Sequence, residues 1–185
     1  MEKLSRYEIF SLALKMELPD LINLCRSSQI FNNNICDNPN LWIEKLKEFP
    51  ERIEFNIPDA KKLYYLLWNL NDFNKRLGLH LSLHDLYLRK DLELDNKNLT
   101  EIPKSIRYLT NLEELTLRNN KLTEISPYYP DNIHLLNLTG NQIRTIPKNL
   151  PLKLKHLYLI KNPLEGIPTG LNPKLRIYKE VTRYP

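Results

Sequence analysis

The chain repeats itself. Aligned on an asparagine, three stretches share the wording L-x-x-L-x-L-x-x-N-x-L-x-x-I. They are Leu112, Leu115, Leu117, Asn120, Leu122 and Ile125, then Ile133, Leu136, Leu138, Asn141, Ile143 and Ile146, then Leu154, Leu157, Leu159, Asn162, Leu164 and Ile167. A fainter unit precedes them (Arg89, Leu92, Leu94, Lys97, Leu99, Ile102), and a degraded one starts at Leu175 and loses the frame at Tyr178. The starts lie 23, 21, 21 and 21 residues apart. A closed core has no use for a fixed period, whereas stacked coils require one.

Each unit pairs two leucines around one residue, as at 115/117, 136/138 and 157/159. Period-two alternation predicts a short strand with both leucines inward. One unit cannot cover that apolar edge, so neighbours stack and share a core. Where the chain turns inward after the strand, backbone groups lose water and need partners. An asparagine amide both donates and accepts, so Asn120, Asn141 and Asn162 are read as a structural ladder, each bonding the turn and the next coil. Lys97 stands where the first unit should carry its asparagine. On the return side, Pro103, Pro147 and Pro168 follow the inward isoleucines. Proline fixes φ and removes a donor, so extended chain and 3₁₀ turns are expected there. The first unit, with no proline inside "KSIRYLTN", has room for a short helix. The spacing is that of leucine-rich repeats, and the resemblance covers residues 89–180.

Residues 1–77 carry no such period and read as helices. Pro19 and Asp20 open one helix, and Asn38 or Asn40 caps another ahead of Leu41, Trp42, Lys45 and Leu46. A longer helix follows Pro58 with the stripe Leu63, Leu66, Leu67, Leu70, Phe73 and Leu77, ended by Gly78. The apolar stretch 79–88 is expected to cap the first coil. The expected architecture is therefore α+β: a helical domain at 1–57, a linking helix and cap at 58–88, and a solenoid at 89–185. Its strands form a parallel concave face, and its convex side is proline-rich.

Residues 9–46 resemble an F-box, a short helical motif that docks on the adaptor of cullin-type ubiquitin ligases. The matching residues are Asp20-Leu21, Leu24, Phe31 near the family's tryptophan position, and Asp37 with Leu41-Trp42. The Asn- and Ile-rich wording is similar to that of F-box/repeat proteins of large DNA viruses. The family's opening Leu-Pro pair is missing from "LSRYE" (4–8). The resemblance implies adaptor docking through Leu21, Leu24, Phe31, Leu41 and Trp42. The alternative is a stand-alone repeat module in which these residues only build a cap.

Side chains flanking the inward leucines have no core duty and are the candidate partner-binding positions. They form three columns: Asp91, Glu114, Leu135 and His156; Glu93, Thr116, Asn137 and Tyr158; Asp95, Arg118, Thr139 and Ile160. The face passes from acidic to aromatic and basic, and Tyr158 and Arg118 are residue types that often anchor interfaces.

Composition excludes several classes. With 42% hydrophobic and 26% charged residues over 185 positions, the chain reads as globular. The net charge of +5 resides in residues 126–185, which hold 9 basic and 3 acidic side chains. An acidic partner would suit that third, but the face lacks the aromatics interleaved with arginines that nucleic-acid binders use. No phosphate loop occurs, and no acid-and-histidine set follows His80 and His84, so neither cofactor nor metal is expected. Cys25 and Cys36 make no disulfide framework; they are expected to be buried in apolar surroundings, in a reducing, cytoplasmic setting. The expectation is a non-catalytic, monomeric adaptor with protein partners and no membrane segment.

Overall fold

The computed structural model describes residues 4–179. The chain forms two compact units: residues up to Asp72 with Ser82–His84, and Phe73–Leu81 with the chain from Asp85 onward.

The first unit is helical. Helix α1 (Arg6–Lys15) begins at a capping box, in which Ser5 Oγ accepts from Glu8 N–H at 3.2 Å and Glu8 Oε2 accepts from Ser5 N–H at 2.7 Å. Helix α2 (Leu18–Ser27) carries Pro19 and Asp20 in its first turn, where a missing N–H costs nothing. Helix α3 (Gln29–Phe31) runs into a π turn, Asn32–Cys36. Helix α4 (Pro39–Lys45) is capped by Asn38, whose side chain accepts from Asn40 N–H at 3.0 Å. Two 3₁₀ turns follow, Leu46–Glu48 and Pro50–Glu54. Helix α5 (Ala60–Leu77), whose residues from Phe73 onward belong to the second unit, buries its whole expected stripe and ends at Gly78, whose φ of +58° suits a residue without a Cβ.

Two features of this unit correct the sequence reading. The cysteines are paired: the π turn after α2 and α3 brings Cys36 back to Cys25, with Cα atoms 6.1 Å apart. The count of two had suggested free thiols, because a single short-range pair leaves no spacing pattern to recognise. Lys45, on the inner side of α4, has a side chain only 1% exposed. Its ammonium donates to the Leu14 carbonyl at 3.1 Å, reaches Glu48 Oε1 at 3.3 Å, and lies 5.1 Å from the Tyr64 ring centre. It thereby caps the free carbonyl end of α1 and is neutralised in place. Desolvation, then the Glu48 carboxylate, push the Tyr64 phenol well above its ordinary value.

Helix α6 (Leu83–Leu88), in the second unit from Asp85 onward, leads into a parallel sheet in sequential order. Its strands are β1 (Asp91–Glu93), β2 (Glu114–Thr116), β3 (Leu135–Asn137), β4 (His156–Tyr158) and β5 (Arg176–Tyr178). Leu92, Leu115, Leu136 and Leu157 stand in register and are buried, as are Leu94, Leu117, Leu138 and Leu159 behind them. Among the described residues, the return side holds one helical turn in this unit, the 3₁₀ turn Lys104–Tyr108 of the first coil. The architecture is α+β: helices followed by a short parallel-strand solenoid.

The asparagine ladder runs backwards. Asn141 Nδ2 donates to Leu138 O in its own coil and to Leu117 O in the preceding one, both at 2.9 Å, while its Oδ1 accepts from Leu122 N–H at 3.0 Å. Asn120 bonds in the same way to Leu94 O, Leu117 O and Leu99 N–H, and Asn162 to Leu138 O, Leu159 O and Ile143 N–H. Each ladder residue thus serves the coil before it rather than the next. This explains Lys97: among the described residues no strand precedes β1, so that position has no coil behind it to serve, and its own N–H is taken by Asn120 Oδ1 at 3.0 Å.

Just before each ladder position the chain turns left-handed, at Asn96, Asn119, Gly140 and Lys161. Gly140 is also the place where a Cβ would collide with Asn119 Oδ1.

The C-terminal coil departs from expectation twice. The frame loss at Tyr178 does not end the sheet, because β5 pairs in parallel with β4. Ile177, not Tyr178, stands opposite Leu157, so this coil is one residue shorter than the period. Ile167, expected inward, is 43% exposed.

Candidate binding face

The sheet register sets the candidate positions side by side. One column runs Asp91, Glu114, Leu135, His156 and Arg176, and the next runs Glu93, Thr116, Asn137, Tyr158 and Tyr178. Both follow from alternation: the residues flanking each inward leucine project the other way. Arg176 and Tyr178 had been missed because a strict 21-residue count turns Tyr178 inward. The signal that could have found them is Ile177, an apolar residue between two amphipathic ones.

The face is chemically graded. At the β1–β2 end Asp91, Glu93 and Glu114 are exposed carboxylates. Asp95 differs from these three, since its side chain is 4% exposed. It accepts from Arg118 N–H at 2.7 Å and from Arg118 Nε at 2.6 Å. Asp95 therefore fixes the Arg118 guanidinium in place, and this pairing raises the Arg118 pKa further. Thr139 and Ile160 continue that third column, half-buried.

At the β4–β5 end the rings of Tyr158 and Tyr178 stack at 4.3 Å, 8° from parallel. His156 lies beside them, its Nδ1 3.1 Å from Tyr178 Oη. Desolvation, then the neighbouring Tyr178, hold the Tyr158 phenol above its ordinary value. Stacked, hydrogen-bonded rings lose little rotamer freedom when a partner settles on them, which favours an aromatic platform over a single mobile side chain.

The F-box-like candidates are differently placed. Leu21, Leu41 and Trp42 are at most 1% exposed. Trp42 Nε1 donates to Cys36 O at 2.7 Å, and its ring packs against Tyr64 and Tyr65. Leu24 and Phe31 are half-buried. The large apolar side chains this unit does present are others: Tyr7 and Ile30, 81% and 77% exposed, with Leu4, Leu12 and Ile43. Among the described residues no group of three or more His, Cys, Asp or Glu could hold a metal, and no helix is long and apolar enough to cross a membrane.

The Leucine Rich Repeat family model matches residues 111–133, which span β2 and the ladder residue Asn120. No curated protein matches the chain. With the parallel-strand solenoid, this match makes the second unit a short leucine-rich-repeat solenoid, an architecture that generally serves protein–protein interaction.

Proposed function

We propose that the chain is a non-catalytic adaptor whose graded concave face holds a protein partner. The observation that carries this reading is the arrangement at β4 and β5. Tyr158, Tyr178 and His156 are oriented by one another on the open side of the sheet, where they contribute nothing to the leucine core. Partner contacts run along the registered columns, from Glu93, Glu114 and Thr116 through Arg118, Leu135, Asn137 and Thr139 to His156, Tyr158 and Ile160. Five strands about 4.8 Å apart and about 10 Å long offer a strip of roughly 200 Å², against about 800 Å² per side for a stable interface. The partner is accordingly a narrow segment, or a larger protein that also touches the flanks.

The finer reading places the helical unit on the adaptor of a cullin-type ubiquitin ligase, with the solenoid presenting the target. The burial of Leu21, Leu41 and Trp42 assigns them to the unit's own core. The five exposed apolar residues from Leu4 to Ile43 then form the docking surface, with Leu24 and Phe31 at its margin. This role belongs in a cytoplasm, where a reducing environment would hold the Cys25–Cys36 pair open.

Affinity capture from cell extract compares the native chain with Tyr158→Ala and Ile30→Asp. The concave-face reading expects the target to be lost with Tyr158→Ala by at least about tenfold, the loss of one interface anchor. The adaptor reading expects Ile30→Asp to lose the ligase adaptor while keeping the target. Equal recovery of every protein by Tyr158→Ala and the native chain would remove the concave face from the account.

A further inference from the structure

The amino-terminal flank of the strands carries a second feature that the concave face does not use. Two open grooves, of about 620 and 910 Å³, meet there and share Asn132, Leu152 and Lys153. The smaller is lined by three lysines, Lys153, Lys155 and Lys174, all exposed. Its lining carboxylate, Glu113, is already held by Lys90 at 2.9 Å. Among the described residues none of the three lysines has an ion-pair partner. Where the grooves meet, Leu152 projects 84% exposed, the most exposed large apolar side chain described.

We propose that this flank is a docking surface for an acidic peptide segment bearing an apolar residue, its carboxylates on Lys153, Lys155 and Lys174 and its apolar side chain against Leu152. The charge argument is direct: three ammonium groups around one groove repel one another until a counter-charge enters. The choice of a peptide over a nucleic acid rests on the walls. Base stacking needs an open aromatic face, but of the larger groove's three tyrosines Tyr108 is half-buried, the Tyr128 ring is attended by Lys104 at 5.2 Å and Arg107 at 5.0 Å, and Tyr129 is buried. An aliphatic knob among lysines matches a carboxylate-rich segment with a leucine-like side chain.

The test uses the full chain and fluorescence anisotropy with a labelled Glu/Asp-rich peptide containing one central leucine. Its controls are the same peptide with serine for leucine, and a labelled oligothymidylate. The proposal expects the leucine peptide to bind, to weaken about tenfold in Lys153→Glu/Lys174→Glu, and to weaken with the serine peptide. It expects Tyr158→Ala to leave this binding unchanged, so that failure here and failure of the concave-face reading are read separately. Circular dichroism of the charge-reversed variant confirms that its fold is kept. The proposal is overturned if the peptide does not bind, if binding ignores the lysine reversals or the leucine, or if oligothymidylate binds more tightly with an affinity that falls steeply with salt.

Discussion

Asn141→Ala is expected to cost the solenoid about 3 kcal/mol or more. The substitution removes three buried hydrogen bonds, to Leu117 O, Leu138 O and Leu122 N–H. It leaves Leu122 N–H without a partner where water does not reach, at about 1–3 kcal/mol for a buried unsatisfied group, and takes one side-chain donor from Leu117 O and from Leu138 O, which Asn120 and Asn162 still serve. The three costs are not fully additive, because the turn can relax. Urea unfolding measures the loss as a shift in midpoint at unchanged slope. Two further variants make the assignment specific. Asn141→Asp keeps an acceptor for Leu122 N–H but sets a carboxylate against two carbonyls, so it is expected to destabilise at least as much despite its nearly identical shape. Asn162→Ala removes the same set of bonds at a half-buried position, where water can replace them, and should cost about 1 kcal/mol. A loss below about 1 kcal/mol for Asn141→Ala would mean that the ladder does not hold the coils together.

Opening the Cys25–Cys36 bond is expected to lower the stability of the helical unit by about 3 kcal/mol. The bond closes a loop with a sequence separation of 11, and tying such a loop limits the freedom of the unfolded chain by about that amount in the chain-entropy account. Both tryptophans, Trp42 and Trp68, belong to this unit. Trp42 is bonded to the Cys36 carbonyl, so denaturation followed by tryptophan fluorescence, with and without reductant, reports on the affected region. Cys36 is fully buried while Cys25 is half-buried, so a reductant is expected to attack the bond at the Cys25 sulfur. The double variant Cys25→Ser/Cys36→Ser should unfold at the midpoint of the reduced protein. A midpoint indifferent to reductant would show that the unit owes nothing to the bond. In the cytoplasmic adaptor reading the reduced protein is the working form, and the Leu21, Leu41 and Trp42 core has to hold the unit alone.

Much of this was readable in the residues because the repeat is a strong physical signal. Alternating leucines define a strand face wherever they occur, and three copies in one frame also define the register. The columns from Asp91 to His156 and from Glu93 to Tyr158 are therefore written in the sequence, as is the need for Asn120, Asn141 and Asn162. The direction of the ladder was not, since an asparagine offers the same donor and acceptor to either neighbour. The fifth strand was hidden by a single-residue shortening that moves Tyr178 from the inward frame to the aromatic platform. Lys45 lies on the apolar side of its helix in any helical projection, but only the fold supplies the Leu14 carbonyl that allows it to be buried. The cysteine pair depends on a π turn, and five polar and apolar residues in "NNNIC" do not specify one against an ordinary helical turn. The F-box-like wording identified residues that form a core; it could not say which neighbours remain exposed.

The face can act as one recognition surface only if its strands keep one register, which depends on coils that unfold together. Amide hydrogen exchange at Leu94, Leu117 and Leu138, whose N–H groups donate to Thr116, Asn137 and Tyr158 carbonyls across successive strands, measures this directly. The account predicts that the three amides share one opening free energy, equal to that of global solenoid unfolding, and that Asn141→Ala lowers all three by the same amount. Exchange at three unrelated rates, with Asn141→Ala affecting only its own coil, would contradict it.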